Sequence, residues 1–187
     1  MADGNKVKFG LSSVYYAIAT ISGNTVTYGT PKAWPGAVSL ELSPSGEAEA
    51  FRADNMDYYK PAGTGSYSGN LTMAYLPDTV AADLFGDKTD DSGIIVERAG
   101  GAAAMFALLF EFDGDANATR HAFYNVSASR PSVNSETTPA DSITPVTVEV
   151  PITASANVNK YVRGKASPGD AAYANWFTAV QEPSFKP

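Results

Sequence analysis

The sequence predicts an all-β protein with one or two short helices, arranged as a β-sandwich or partial barrel. Apolar and polar residues alternate in many short segments, and glycine, asparagine and proline occur between these segments. Strands with one buried face show this period of two, which differs from the period of an amphipathic helix. Helical spacing is confined to two short stretches. At 187 residues the chain suits one domain. A domain of this size buries roughly 70% of its unfolded surface.

The first part of the chain contains a predicted hairpin and two alternating strands. Val14 to Ile21 and Thr25 to Tyr28 are separated by Ser22-Gly23-Asn24, which predicts a short turn. The segments AVSLELS (37–43) and NLTMAYL (70–76) each place three apolar residues on one face. The residues expected to face the core are Val38, Leu40, Leu42, Leu71, Met73 and Tyr75.

More strands are predicted in the second half. Met105 to Phe112 is apolar on both faces, which is typical of a buried central strand. HAFYNVSASR (121–130) alternates, and so does Ser142 to Ala156, with Val146, Val148, Val150 and Ile152 inward. Pro145 and Pro151 fall on the polar side of that last segment, and proline lacks the N–H that a ladder needs. We therefore expect a bulge or a local sheet edge at each proline.

Two short helices are expected between and after the strands. Asp78 is predicted to cap a helix that Gly86 closes, with Val80, Leu84 and Phe85 on its inward side. The second helix follows Pro168-Gly169-Asp170, where aromatic residues share a stripe at helical spacing. The residues of this stripe are Tyr173, Trp176, Phe177 and Val180.

The predicted boundaries are a β domain over residues 1–156 and a C-terminal arm with a short helix over residues 157–187. The domain includes an N-terminal arm, residues 1–13, and a long loop, residues 43–66. That loop far exceeds the usual connection of about 4 to 6 residues. It carries an apolar content that a solvated linker would not need, so we expect it to lie against another surface. The apolar residues concerned are Phe51, Met56, Tyr58 and Tyr59.

Composition and charge argue against several classes of function. The net charge of −7 and the pI of about 4.6 disfavour a protein that binds nucleic acid by neutralising phosphates. The absence of cysteine excludes disulfides, thiolate metal sites and cysteine nucleophiles. No apolar run approaches ~18 residues, and the N terminus lacks the pattern of a signal peptide. We therefore expect no membrane segment and no secretion signal.

Candidate catalytic and metal-binding residues are few. His121 is the only histidine, and no nucleophile motif accompanies it, so the sequence predicts neither an enzyme nor a cofactor. The acidic runs Asp87–Gly93 and Asp113–Asn117 lack the glycine and glutamate of an EF-hand. Turn formation explains both runs better than an ion site does, although an adventitious ion stays an alternative.

Exposed aromatic residues leave a second function open. Aromatic rings stack on sugars, although aromatics on a long loop more often pack against protein. The alternative to a structural role is therefore a carbohydrate-binding or adhesin-like β-sandwich. Its binding residues would be Trp34, Tyr58 and Tyr59.

The polar sides of four predicted strands share an unusual composition. They contain hydroxyls, amides and two carboxylates but no lysine or arginine, whereas an ordinary solvated face mixes both signs of charge. Chance over nine positions is one explanation. The other is a smooth, wet surface that mildly repels a polyanion. The residues of this polar face are Ser39, Glu41, Asn70, Thr72, Asn125, Ser127, Thr147, Glu149 and Thr153.

A series of segments runs through the chain in this order: VKFGLSSVYYAIAT, WPGAVSLELSPSG, FRADNMDYY, YSGNLTMAYLPD, FALLFEFDGD and RHAFYNVSASRP. Together they resemble the major tail protein, or tail tube protein, of long non-contractile bacteriophage tails, particularly in phages of Gram-positive hosts. The similarity covers about Val7 to Ala156. No catalytic signature accompanies it.

The resemblance implies a structural subunit that assembles into stacked six-membered rings in the host cytoplasm and ends up in the virion tail. Each subunit would give strands to a barrel around a lumen, so the polar face would meet DNA as a transient, non-specific cargo. Further partners would be the tape measure, tail terminator and baseplate proteins, and no membrane. The long loop and the terminal arms would bridge subunits or rings. The contact residues so implied are Phe51, Met56, Tyr58, Tyr59, Tyr173, Trp176 and Phe177.

Overall fold

The computed structural model describes residues 10–46, 51–53, 55–59, 65–101, 103–135 and 146–185. Within these ranges the chain forms strands and one short helix, as expected for the all-β class. The elements are β1 (Leu11–Ser22), β2 (Thr25–Tyr28), β3 (Lys32–Ala33), β4 (Ala37–Ser45), β5 (Phe51–Ala53), β6 (Met56–Tyr59), β7 (Ser66–Met73), α1 (Asp78–Phe85), β8 (Lys88–Thr89), β9 (Ile95–Val96), β10 (Phe106–Phe112), β11 (Arg120–Ala128), β12 (Val148–Ser155) and β13 (Arg163–Ala166).

Nine strands form one antiparallel sheet. Its order is β2-β1-β10-β11-β12-β7-β4, with β13 paired to β11 and β3 paired to β1. The predicted hairpin at Gly23 is confirmed as β1 and β2. The apolar strand β10 lies between β1 and β11, and its first five residues are buried, which confirms a central position.

The sheet closes partly on itself, because one stretch of chain, residues 25–45, pairs with β1 at one end of the sheet and with β7 at the other. β2 and β3 run along β1, and the Trp34 N–H continues this run by donating to Val14 O at 2.8 Å. The backbone then turns at Gly36, whose φ of +89° suits glycine, and continues as β4 along β7. The result is the predicted partial barrel, with β4 as its free edge.

The core fills the inside of this barrel and is covered at one end by α1. Val80, Ala81, Leu84 and Phe85 are buried, which confirms the predicted inward face. Gly86 ends the helix in the left-handed conformation, as expected. The predicted Asp78 cap is wrong: Pro77 occupies the N-cap position, and no side chain caps the helix.

Three residues predicted to be in the core are exposed instead. Val38 is 52% exposed, because the β4–β7 register shifts between Ala37 and Ser39 and leaves it as the extra residue of a bulge. Tyr75 and Val146 are 53% and 50% exposed, because β7 ends at Met73 and β12 begins only at Val148. Alternation predicts the side of the sheet to which a side chain points only where the strand is continuously paired.

Pro151 lies inside β12 without disrupting its pairing to β7. Its carbonyl accepts the Ser129 N–H at 2.8 Å. In an antiparallel pair the N–H and C=O of one residue point to the same neighbour, so the missing N–H also faces Ser129. Because β11 ends at Ala128, the missing N–H removes one bond just beyond the end of the β11–β12 ladder, and the predicted bulge does not occur in the β12–β7 pairing. Pro145 lies outside the described residues.

The long loop is shorter than expected, since β4 extends to Ser45 and β7 starts at Ser66. Between them β5 and β6 pair as a small hairpin.

The second predicted helix does not form. Residues 168–178 make a run of turns, and the Arg120 guanidinium takes up the Tyr173 carbonyl at 2.6 Å. The same carbonyl accepts the Trp176 N–H at 3.2 Å, which is an i+3 bond in place of the i+4 bond of an α-helix.

Candidate functional site

The predicted polar face is a continuous surface on the outside of the barrel. Four neighbouring strands, β11, β12, β7 and β4, turn the same side outward, and their registers align the residues in three rows. The first row is Ser39, Thr72 and Glu149; the second is Glu41, Asn70 and Pro151; the third is Ser43, Ser68, Thr153 and Ser127.

This alignment explains how distant segments make one surface. Successive side chains point to opposite sides of a strand, so the apolar partners of these rows, such as Leu71 and Val150, enter the core with almost no exposure. Alternation already placed Ser43 and Pro151 on the polar sides of their strands, whereas Ser68 was missed because its predicted strand began only at Asn70. The pairing register joins all three to the rows.

The two carboxylates of the polar face are well separated. Glu41 and Glu149 lie two strands apart and one row apart, which corresponds to about 12 Å for ideal strand spacing. Both are exposed, and no lysine or arginine occurs in the three rows. Among the described residues of this face, each carboxylate therefore lies among hydroxyl and amide groups without a cation beside it.

Two residues predicted for the polar face, Asn125 and Thr147, lie outside its three rows. Asn125 is buried, because its side-chain amide donates to Ser155 Oγ at 2.9 Å and to Ala156 O at 3.2 Å. β11 has one extra residue opposite β10 at this point, so Asn125 sits in a bulge. Thr147 is exposed but precedes β12, so it lies beyond the last paired row.

A second part of the outer side, on β10, β11 and β13, is apolar and is covered by the C-terminal arm of the same chain. Trp176 is 3% exposed and packs with Leu109, Ala122, Tyr124 and Ala166. Its indole N–H donates to His121 O at 3.2 Å. Burial of a large aromatic with its polar atom satisfied is a strong anchor, so the arm is a fixed part of this single chain.

Arg120 is the second anchor of the arm. Its guanidinium lies 4.0 Å from the Tyr173 ring centre and 4.8 Å from the Phe177 ring centre, and it pairs with Glu111. Phe177 also stacks on Tyr15 at 4.8 Å. Cation–π contact and stacking hold the two aromatics against the β1–β11 side of the sheet.

A buried polar network fixes the end of the arm. Tyr124 Oη donates to Gln181 O at 2.9 Å, and Asn157 Nδ2 donates to Glu182 Oε1 at 2.6 Å and to Tyr28 Oη at 3.2 Å. Burial, with a smaller contribution from Glu182, raises the pKa of Tyr124 to about 12. The hydroxyl is therefore protonated at neutral pH and donates to the Gln181 carbonyl.

The residues expected to contact other subunits divide into two groups. Tyr173, Trp176 and Phe177 pack on their own sheet in the single chain, and Trp176 has no surface left for a neighbour in this conformation. Met56 is 61% exposed, whereas the side chains of Phe51, Tyr58 and Tyr59 lie outside the described part of the structure. The contact role of all seven residues stays a prediction.

The candidate residues for chemistry have structural roles where the structure describes them. His121 stacks on Phe110 at 5.4 Å within β11. Asp90 and Asp115 accept backbone N–H groups inside their own turns, as turn formation predicts. The described residues contain no group of three or more His, Cys, Asp or Glu side chains suited to a metal ion.

One residue of the sugar-binding alternative is unavailable. Trp34 has no exposed surface and packs edge-on against Tyr16, so it cannot stack on a ligand. The prediction for this one of the three residues was wrong, because the β1–β3 pairing draws Trp34 into the core. In the described ranges the single helix has eight residues, and no helix is long and apolar enough to cross a membrane.

Comparison with known proteins agrees with the resemblance seen in the segments. A search of curated proteins found no match. A family model described as "Phage tail tube protein" matches residues 3–186, which is nearly the whole chain and includes the arm as well as the β domain. The chain therefore belongs to the phage tail tube protein family.

Proposed function

We propose that this tail tube subunit forms six-membered rings that stack into a tube, and that its polar face lines the channel through which DNA passes. Membership of the family supports a structural, self-assembling component of the virion tail. The observation that carries the finer proposal is the polar face itself: three aligned rows without a cation.

The chemistry of this face suits a conduit for DNA. Lysine or arginine at the wall would pair with phosphates and release counterions, so that many weak contacts would add along a duplex. Hydroxyl and amide groups keep the wall wet, and two carboxylates per subunit repel phosphates. Their reach is about one Debye length, ~8 Å at physiological salt, so about a dozen carboxylates per ring act as a local repulsive lining.

The free edge of the sheet supports closure between subunits. In the described chain β4 pairs only with β7, so its outer edge presents unpaired backbone groups. An exposed edge strand invites pairing with another chain, and a closed barrel removes such edges. Addition of a neighbouring subunit at β4 would continue the polar face around a ring. We propose that the tube has no catalytic activity, and that the tape measure, terminator and baseplate proteins bind its ends.

Microscopy of the purified protein tests the assembly. We expect negative-stain images to show rings or tubes with an axial channel, and size-exclusion chromatography to show oligomers. A monomer at all concentrations that binds a glycan array would instead favour the carbohydrate-binding alternative, for which Tyr58 and Tyr59 remain.

Cysteine labelling tests which side faces the channel. The chain has no cysteine, so a single Glu41→Cys substitution can be followed with a bulky polymer maleimide. We expect rapid labelling of separate subunits and at least about tenfold slower labelling of intact tubes, because the reagent can enter only at the ends. Asn24→Cys, in the exposed β1–β2 turn away from the polar face, is the matched control. Equal labelling of Glu41→Cys in both states would exclude a position inside the channel.

A further inference from the structure

The hairpin formed by β8 and β9, residues 88–96, carries apolar side chains that the described chain leaves exposed. Ile94, Ile95 and Val96 are 60%, 43% and 42% exposed. Ile95 and Val96 form β9, so these side chains lie along the side of the hairpin, whereas its tip is the polar turn at residues 90–93. Single exposed apolar residues are ordinary on a protein surface, but three in a row indicate an interaction surface.

Arg130 fixes the base of this hairpin beside the end of β11. Its guanidinium pairs with Asp87 at 2.5 Å and with Glu97 at 2.8 Å, the two residues that flank the hairpin strands. β11 ends at Ala128, and the described β10–β11 pairing stops at Val126. The end of β11 is therefore one border of the polar face, and the hairpin is attached to this border. A fixed projection loses little entropy when it binds.

The opposite border of the polar face is β4, and its apolar side chains are also incompletely covered. Val38 is 52% exposed, and Leu40 and Leu42 pack against the core but are only partly buried. On the interior strands β7 and β12, by contrast, Leu71 and Val150 have no exposed surface. A sheet edge without a neighbour shows this difference, because the side chains of an interior strand are covered from both sides.

The two borders lie at about the same level along the strands. The Ser129 N–H donates to Pro151 O, and the row of the sheet that contains Pro151 ends on β4 at Glu41. The hairpin, which Arg130 fixes, is therefore attached at about the level at which β4 carries its exposed apolar side chains.

The two borders do not cover each other within one chain. β12 and β7 lie between β11 and β4, which separates the borders by about 14 Å at strand spacing. The apolar side chains of both borders stay exposed in the single chain. Copies placed side by side, however, bring the hairpin border of one to the β4 border of the next. Such a heterologous contact between two different surfaces generates a ring when its rotation closes.

We propose that the β8–β9 hairpin of one subunit lies along the β4 border of its neighbour in the same ring, with residues 94–96 packed against Val38. The partner of each surface is a second copy of the chain. This inference rests on the proposed function, because it assigns a contact that closes each ring. It gives the hairpin, which the polar face and the core do not use, a role in assembly.

Cross-linking tests the contact directly, because the chain has no cysteine of its own. A chain with Val38→Cys and Ile95→Cys is assembled into tubes and treated with a short bismaleimide. We expect a ladder of covalent products that ends at the number of subunits in one ring, since each link joins neighbours around a closed ring. Ile21→Cys with Ile95→Cys is the matched control and should give no ladder, because Ile21 is 47% exposed but lies on β1, outside both borders.

A charge on the hairpin tests whether assembly needs the contact. Ile95→Asp should lower the pelleted fraction in sedimentation by about tenfold or more, because its carboxylate would be buried against apolar side chains. Ile21→Asp is the control and should assemble normally. Thermal unfolding of the separate subunits shows that each variant folds, since a substitution at such an exposed strand position should shift the Tm by no more than about 4 °C.

The outcomes separate this inference from the proposed function. Absence of the ladder in assembled tubes, a ladder longer than one ring, or normal assembly of Ile95→Asp would each overturn the inference and leave the proposed function intact. A wild-type chain that forms neither rings nor tubes would instead overturn the proposed function.

Discussion

Replacement of Trp176 by alanine tests whether the C-terminal arm is part of the folded subunit. The side chain is 3% exposed, and its indole N–H donates to His121 O. Deletion of a buried tryptophan side chain costs about 3–5 kcal/mol through lost burial and the remaining cavity. Because the arm lies at the C terminus, it can also detach while the rest of the domain stays folded. The free energy with which the arm docks on the sheet therefore sets an upper limit to the loss of stability.

The expected loss is large enough to measure by thermal unfolding. For a domain of 150–250 residues, each kcal/mol lowers the Tm by about 2–4 °C. Trp176→Ala should therefore lower the Tm of the separate subunit by about 10 °C, and urea unfolding should show a lower midpoint. The measurement is made below the concentration at which tubes form, so that assembly does not add stability.

Phe185 provides the matched control because it is an aromatic residue of the same arm that is 75% exposed. Phe185→Ala should change the free energy of unfolding by no more than about 0.5 kcal/mol. A Tm of Trp176→Ala within about 2 °C of the wild type would refute the packing argument. If that variant also failed to assemble, Trp176 would belong to a contact between subunits, as the sequence alone suggested.

Further predictions concern the sheet, the polar face and pH. Gly69→Ala should destabilise the subunit by about 3 kcal/mol, as measured by urea unfolding, because a Cβ there would meet the Glu41 carbonyl oxygen at 1.9 Å. Ser68→Ala, at the neighbouring position, is the control and should be almost neutral. Glu41→Lys with Glu149→Lys should give tubes that assemble but eject DNA slowly at low salt, with recovery in added salt; wild-type ejection would show that these residues do not line the path. Asp83 is partly buried, which opposes its ionisation, but hydrogen bonds from a lysine and a tyrosine outweigh this and lower its pKa. Its stabilising effect is therefore fully present above the unfolded pKa of about 4 and is lost as the pH falls through the lower folded pKa, so Asp83→Asn should cost about 1 kcal/mol at neutral pH and progressively less as the pH falls below about 4.

Strand alternation and turn residues in the sequence determined most of the fold. The fold class, the hairpin at Gly23, the buried central strand β10 and the inward face of α1 follow from local patterns, and the structure confirms them. The composition of the polar face was also visible, because alternation separates its residues from the core wherever a ladder is continuous.

Tertiary structure decided what depends on pairing between distant segments. Val38 leaves the core because of a bulge against β7, and Trp34 enters it because β3 turns back along β1. The aromatic stripe of the arm predicted a helix, but the segment forms turns, and Arg120, which is 53 residues away, donates to the Tyr173 carbonyl and anchors them to the sheet. Periodicity reports which side chains share a face of an isolated element, and it carries no information about the partner that the face will meet. Register, sheet closure and the docking of the arm are set by contacts across the sequence, which only the folded chain contains.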